Sequence, residues 1–141
     1  MASSRPKRRQ GGRRHAESVA LARACACAAD EKKARDTIIL DLRKLTSITD
    51  YFVIATAGNP RQVAAIAEAV AEEAARGNTR MIGREGTEDS GWVLLDFADV
   101  VVHVFDAERR DLYDLGLLWG DAPRVDWQES AKPPMNADER G

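Results

Sequence analysis

Five residues carry the groups with which a metal-dependent phosphoryl-transfer enzyme works: Asp41, Asp50, Asp96, Asp99 and His103 all lie near the ends of β-patterned runs. Their spacing does not suit that task. Asp96 and Asp99, the two close in sequence, fall across a turn on opposite faces of a strand pair and do not converge on one ion. No nucleophile is supplied either: there is no Ser elbow, and no Cys lies near a His. Cys25 and Cys27 stand two apart in an alanine-rich helical run, so they point about 200° apart and cannot bridge. With His15 and His103 far away in the chain, they lack zinc-ligand spacing. The run Gly58-Asn59-Pro60-Arg61-Gln62 joins a strand to a helix and could seat an anion on the helix N-terminus, but it has neither the G-x-G-x-x-G nor the Walker pattern. Helix capping accounts for it: Asn59 as N-cap, Pro60 at the first helical position, Gln62 completing a capping box. These residues predict no enzyme, no metal and no cofactor.

The elements that position His103 are more informative. Trp92 to Asp106 reads as a hairpin with Ala98 and Asp99 at its turn. The period of two then pairs Phe97 with Val100, Leu95 with Val102 and Val93 with Val104, giving one wholly apolar face. The same register pairs Trp92 with Phe105, Leu94 with His103 and Asp96 with Val101. That second face mixes aromatic and aliphatic groups with a carboxylate and an imidazole, the composition of an interface. Pattern alone does not decide between a partner and the C-terminal helix as its cover.

The rest of the chain supplies one domain, since 141 residues hold one comfortably and two poorly. Residues 1–14 are basic and aperiodic and are expected to be disordered, as are residues 128–141; the domain spans residues 15–127. A helix is expected from about Ala16 to Lys33, strands over Thr37–Leu42 and Tyr51–Thr56, both buried on two faces, and a helix after Asn59 with Val63, Ile66, Ala67, Val70 and Ala74 on its buried stripe and Gly77 at its stop. A third, more exposed strand over Thr79–Arg84, the hairpin and a helix capped by Asp106 complete the order αββαβββα, an α/β sheet flanked by helices. The formal charge of −2 conceals an asymmetry: six of the 21 Lys/Arg lie in residues 1–15 with no acid, leaving 15 bases against 23 acids, a net of −8, in the remainder. An acidic body suits basic partners. The tail is either a solvated segment or a weak phosphate-binding arm, with Arg8, Arg9, Arg13 and Arg14 as RNA contacts. Nothing approaches a membrane-spanning run, and the cysteine usage suits a reducing cytosol. The Arg-rich, acid-free start has the composition of an organelle transit peptide, but it is short and only weakly amphipathic, so a cytosolic protein is the expectation.

Asp50-Tyr51-Phe52-Val53-Ile54-Ala55-Thr56, Arg61-Gln62-Val63, the hairpin from Trp92 to Phe105 and Leu118-Trp119-Gly120-Asp121-Ala122-Pro123 together resemble the ribosomal silencing factor (RsfS or Iojap-like) family over about residues 17–127. The resemblance implies a mixed five-stranded sheet with nucleotidyltransferase-like topology but without catalytic residues. It implies a non-catalytic repressor that binds the large ribosomal subunit on its intersubunit face, through large-subunit ribosomal protein number fourteen, and sterically blocks small-subunit joining when nutrients are scarce. It also implies a homodimer when the protein is free. Carried over by position, the partner-binding residues are Trp92, Leu94, Asp96, His103 and Phe105, extended by Tyr113, Leu115, Leu118, Trp119 and Asp121. Two other readings stay open: a factor for large-subunit assembly, and a nucleotide-binding enzyme of nucleotidyltransferase type using the Gly58 junction and a carboxylate.

Overall fold

A computed structural model describes residues 11–112 and 120–128. Its elements are α1 (Gly11–Glu31), β1 (Arg35–Asp41), β2 (Tyr51–Ala57), α2 (Pro60–Arg76), β3 (Gly83–Glu85), β4 (Trp92–Asp96), β5 (Val100–Asp106) and α3 (Ala107–Leu112), the expected αββαβββα order with a 3-10 turn, Glu88–Ser90, before β4. The strands form one mixed sheet in the order β1-β2-β5-β4-β3. β2 and β5 pair in parallel at its centre and the other neighbours are antiparallel. A parallel pair needs a crossover, and α2 lies in the chain between β2 and β5 to make it.

The hairpin register is the expected one, pair for pair, from Trp92↔Phe105 to Asp96↔Val101. Its turn is tight: the Phe97 amide donates to Val100 O (2.9 Å) and the Asp99 amide to Phe97 O (2.9 Å), with Ala98 at φ 74°. Asp96 Oδ1 accepts from the Ala98 amide at 2.8 Å, an Asx turn that holds an alanine where its Cβ is unwelcome.

Val93, Leu95, Phe97, Val100, Val102 and Val104 meet Ala22, Cys25, Ala26 and Ala29 of α1 and the predicted stripe of α2 in one buried core. Small residues on α1 let it lie close to both sheet and α2. Asn59 Oδ1 accepts from the Gln62 amide (2.8 Å), as N-caps do. Gln62 reaches one residue further back than a capping box requires, accepting from the Gly58 amide (2.6 Å), and its Nε2 donates to Lys32 O and Lys33 O at the end of α1. One side chain thus ties two helix ends together.

The structure moves several boundaries. α1 begins at Gly11, not near Ala16, so residues 11–14 of the expected tail are helical. β3 covers Gly83–Glu85 only, because Ile82 and the residues before it make no ladder beyond the Ile82 amide on Asp96 O. Gly77 is not the left-handed residue ending α2 (φ −91°); Asn78 is (φ 63°), with the Asn78 amide on Ala75 O and the Thr79 amide on Ala74 O. β1 is an edge strand, exposed at Arg35 and Asp36, and not buried on both faces along its length.

Candidate functional site

On the sheet face away from α1 and α2, Leu40, Leu42, Ile54, Phe105 and Ala122 form a second buried cluster, with Ile38, Phe52 and Trp92 packed against it. The mixed hairpin face therefore has a floor and a rim. His103 and Phe105 are floor, 4% and 0% exposed, while Trp92, Leu94 and Asp96 are half-buried along β4. Asp121 is exposed nearby in the chain, next to the buried Ala122. Tyr113, Leu115, Leu118 and Trp119 lie outside the described residues, as do Arg8 and Arg9; Arg13 and Arg14 fall on the first turn of α1.

His103 is built into the floor by its neighbours. Its ring stands edge to face with Phe52 (centroids 4.5 Å) and parallel to Phe105 (6.0 Å), and Trp92 packs on Phe105 (4.9 Å). The Trp92 indole Nε1 donates to His103 Nδ1 at 3.2 Å, which places the proton of a neutral imidazole on Nε2, a buried atom without a hydrogen-bond partner. Burial pushes the His103 pKa down from 6.5 to about 4. At neutral pH it is an uncharged acceptor that fixes the angle of the Trp92 ring. It positions the surface rather than forming it.

Trp92 is also fixed from the loop before it. Gly86 has φ 84°, and a Cβ there would lie 2.0 Å from Trp92 O; at Gly91 (φ 80°) it would lie 2.4 Å from Asp106 Oδ2. Between them Thr87 and Ser90 cap each other, and Ser90 Oγ donates to Trp92 O at 3.0 Å. Glu85, Gly86, Ser90, Trp92, Leu94 and Arg109 line a cleft of about 380 Å³ on the rim. Sequence reasoning did not single out Glu85, Ser90 and Arg109; the two glycines framing the loop were the available signal. Asp106 Oδ1 accepts from the Arg109 amide (2.7 Å), the expected cap, and Arg110 binds Thr56 Oγ1 and Asp36 O, holding α3 against β1 and β2.

Of the carboxylates considered for catalysis, Asp41 takes a bidentate contact from Arg43 (2.9 and 2.7 Å) and Asp96 makes the Asx turn, while the main-chain oxygen of Asp99 accepts the Asp50 and Tyr51 amides and so ties the hairpin turn to the start of β2. At the Gly58 junction the amides an anion would use are occupied by Asn59 and Gln62. Among the described residues no three His, Cys, Asp or Glu side chains are grouped to hold a metal, and no helix is long and apolar enough to cross a membrane. Cys25 is buried and Cys27 half-buried, both free thiols. The arrangement can do one thing well: present a rigid aromatic and aliphatic rim on an acidic body.

Comparison with known proteins gives the same family by two routes, and solved structures share the fold. A family model described as "Ribosomal silencing factor during starvation" matches residues 15–140. The chain is 41% identical over 101 residues to ribosomal silencing factor RsfS of Bacillus subtilis, spanning 72% of this chain and 86% of that protein. It is 34% identical over 111 residues to the chloroplastic protein Iojap of Zea mays, covering 79% of this chain and 48% of the plant protein. A crystal structure of a Chromobacterium violaceum protein superposes with a TM-score of 0.68 at 39% identity, covering 71% of this chain and 83% of that one. A Bacillus halodurans structure gives 0.64 at 35% identity, over 73% and 93%.

Proposed function

The chain belongs to the ribosomal silencing factor family, and from that membership we propose that it represses translation in the bacterial cytoplasm by occupying the intersubunit face of the large ribosomal subunit. Its contact there is large-subunit ribosomal protein number fourteen, and its bulk excludes the small subunit. No chemistry is required. An interface of roughly 800 Å² per partner gives adequate affinity for such competition.

The observation that carries this reading is the half-buried row Trp92, Leu94 and Asp96 standing over a packed aromatic floor. A large ring held by a hydrogen bond to His103 and packed on Phe105, on a main chain that the glycine loop holds closely, loses little entropy on binding, which is what hot-spot residues require. In this proposal Asp96 and Asp121 meet Lys or Arg of a basic ribosomal protein, an encounter that the net charge of −8 outside residues 1–15 favours. His103 and Phe105 contribute from beneath, by holding Trp92. Tyr113, Leu115, Leu118 and Trp119 extend the same surface in this proposal.

Sucrose-gradient sedimentation with purified mature subunits tests it. The protein is expected to co-sediment with large subunits and to lower the yield of assembled ribosomes, and Trp92→Ala, with an unchanged circular dichroism spectrum, to bind at least tenfold more weakly. Binding to precursor particles alone, or a Trp92→Ala variant that sediments like the parent, overturns the reading.

A further inference from the structure

The last described segment runs along the open edge of β1 and changes sides of the sheet as it goes. Ala122 is buried in the cluster with Leu40, Leu42, Ile54 and Phe105, on the face proposed to meet the ribosome. Trp127, 7% exposed, is buried in the opposite core, beneath the helices. Between these anchors the Asp41 amide donates to Pro123 O (2.8 Å) and the Val125 amide to Ile39 O (3.0 Å), with Arg124 bridged to Leu40 in antiparallel fashion. The Trp127 indole donates to Thr37 O (3.0 Å), and Arg23 Nε of α1 donates to Asp126 O (3.1 Å). The segment therefore caps main-chain groups that an edge strand leaves open, and belts α1 to β1.

We propose that residues 122–128 are a latch with a closed and an open state, and that its closure sets the affinity of the mixed face for the large subunit. The proposal rests on the function proposed above. A short extended segment held by two main-chain bonds, two side-chain bonds and two apolar anchors is a unit that opens without unfolding the sheet. Asp121 directly precedes Ala122, so its carboxylate is in place only while Ala122 is seated. A partner that uses Asp121 binds the closed state better, and by reciprocity its binding must shut the latch by the factor that opening weakens it.

The Asp41 amide reports the latch, because its acceptor is Pro123 O. The amides of Ile38 and Leu40, turned by alternation toward β2, serve as the internal reference. Val125→Pro removes the donor to Ile39 O, whereas Val125→Ala keeps it; Trp127→Phe, which keeps an aromatic ring but loses the indole donor, is the second variant should the proline prevent folding. In the free full-length protein, Val125→Pro or Trp127→Phe is expected to leave the segment mostly open, bringing exchange at Asp41 close to the rate of an unprotected amide while Ile38 and Leu40 are unchanged. Large-subunit affinity, measured by sedimentation, is expected to fall in proportion to the closed fraction, about tenfold for a segment open nine-tenths of the time, and Val125→Ala to behave as the parent. Hydrogen-exchange mass spectrometry of the parent on large subunits is expected to show the β1 and 122–128 peptides slowed. If the variants leave Asp41 exchange unchanged, or open the segment yet bind like the parent, the latch is overturned and the binding reading stands. If the parent does not bind large subunits, both fall.

Discussion

Acidification tests the buried state of His103 directly. In the fold the imidazole titrates at about 4, against an ordinary 6.5, because burial penalises its charged form. The native state thus refuses a proton that the unfolded chain accepts. Stability is complete above pH 6.5, declines as pH falls from 6.5 towards 4, and declines no further on this account below that. The full shift corresponds to roughly 3 kcal/mol, of which about 2 kcal/mol is lost by pH 5. Carboxylates titrate in the same range, so the comparison is between the parent and His103→Gln, which cannot take up the proton. The measurement is urea unfolding at pH 7.5 and pH 5.0, following Trp fluorescence. The parent is expected to lose about 2 kcal/mol more than the variant between the two pH values. Equal losses would show that His103 titrates alike in both states and would refute the buried, neutral imidazole as the group holding Trp92.

Gly86→Ala forces a Cβ into Trp92 O at a positive φ and is expected to cost about 3 kcal/mol, read as a lower urea midpoint with weakened large-subunit binding. Ala98→Gly relieves the left-handed alanine of the hairpin turn; after the entropy added to the unfolded chain it is expected to stabilise by about 0.5 kcal/mol, seen as a higher Tm. Asn59→Ala removes the α2 N-cap acceptor and is expected to cost about 1 kcal/mol in the same assay. Replacing Arg8, Arg9, Arg13 and Arg14 together by Gln tests the RNA-contacting arm. The slope of log affinity against log salt on large subunits is expected to become shallower by about 3, and an unchanged slope removes the arm from the interface.

Local chemistry made much of this protein legible in its amino-acid order. The hairpin register followed from strict alternation about a two-residue link, since a slip by one would bury Asp96 and His103 in the helix-side core. The α2 cap and buried stripe followed from Asn59-Pro60 and the helical period, and the order of elements from where those periods change. The family resemblance rested on the same motifs. What depended on distant neighbours was not legible. Composition left the mixed face undecided because the residues that pack with it, Leu40, Leu42, Ile54 and Ala122, come from parts of the chain up to some eighty residues apart. Only their convergence turned His103 and Phe105 into floor and left Trp92, Leu94 and Asp96 as rim. Gly86 and the segment closing the β1 edge were likewise decided in three dimensions: one by a carbonyl six residues on, the other by a strand more than eighty residues back. Periodicity records which side chains share a face; what covers that face is settled only when the chain returns to it.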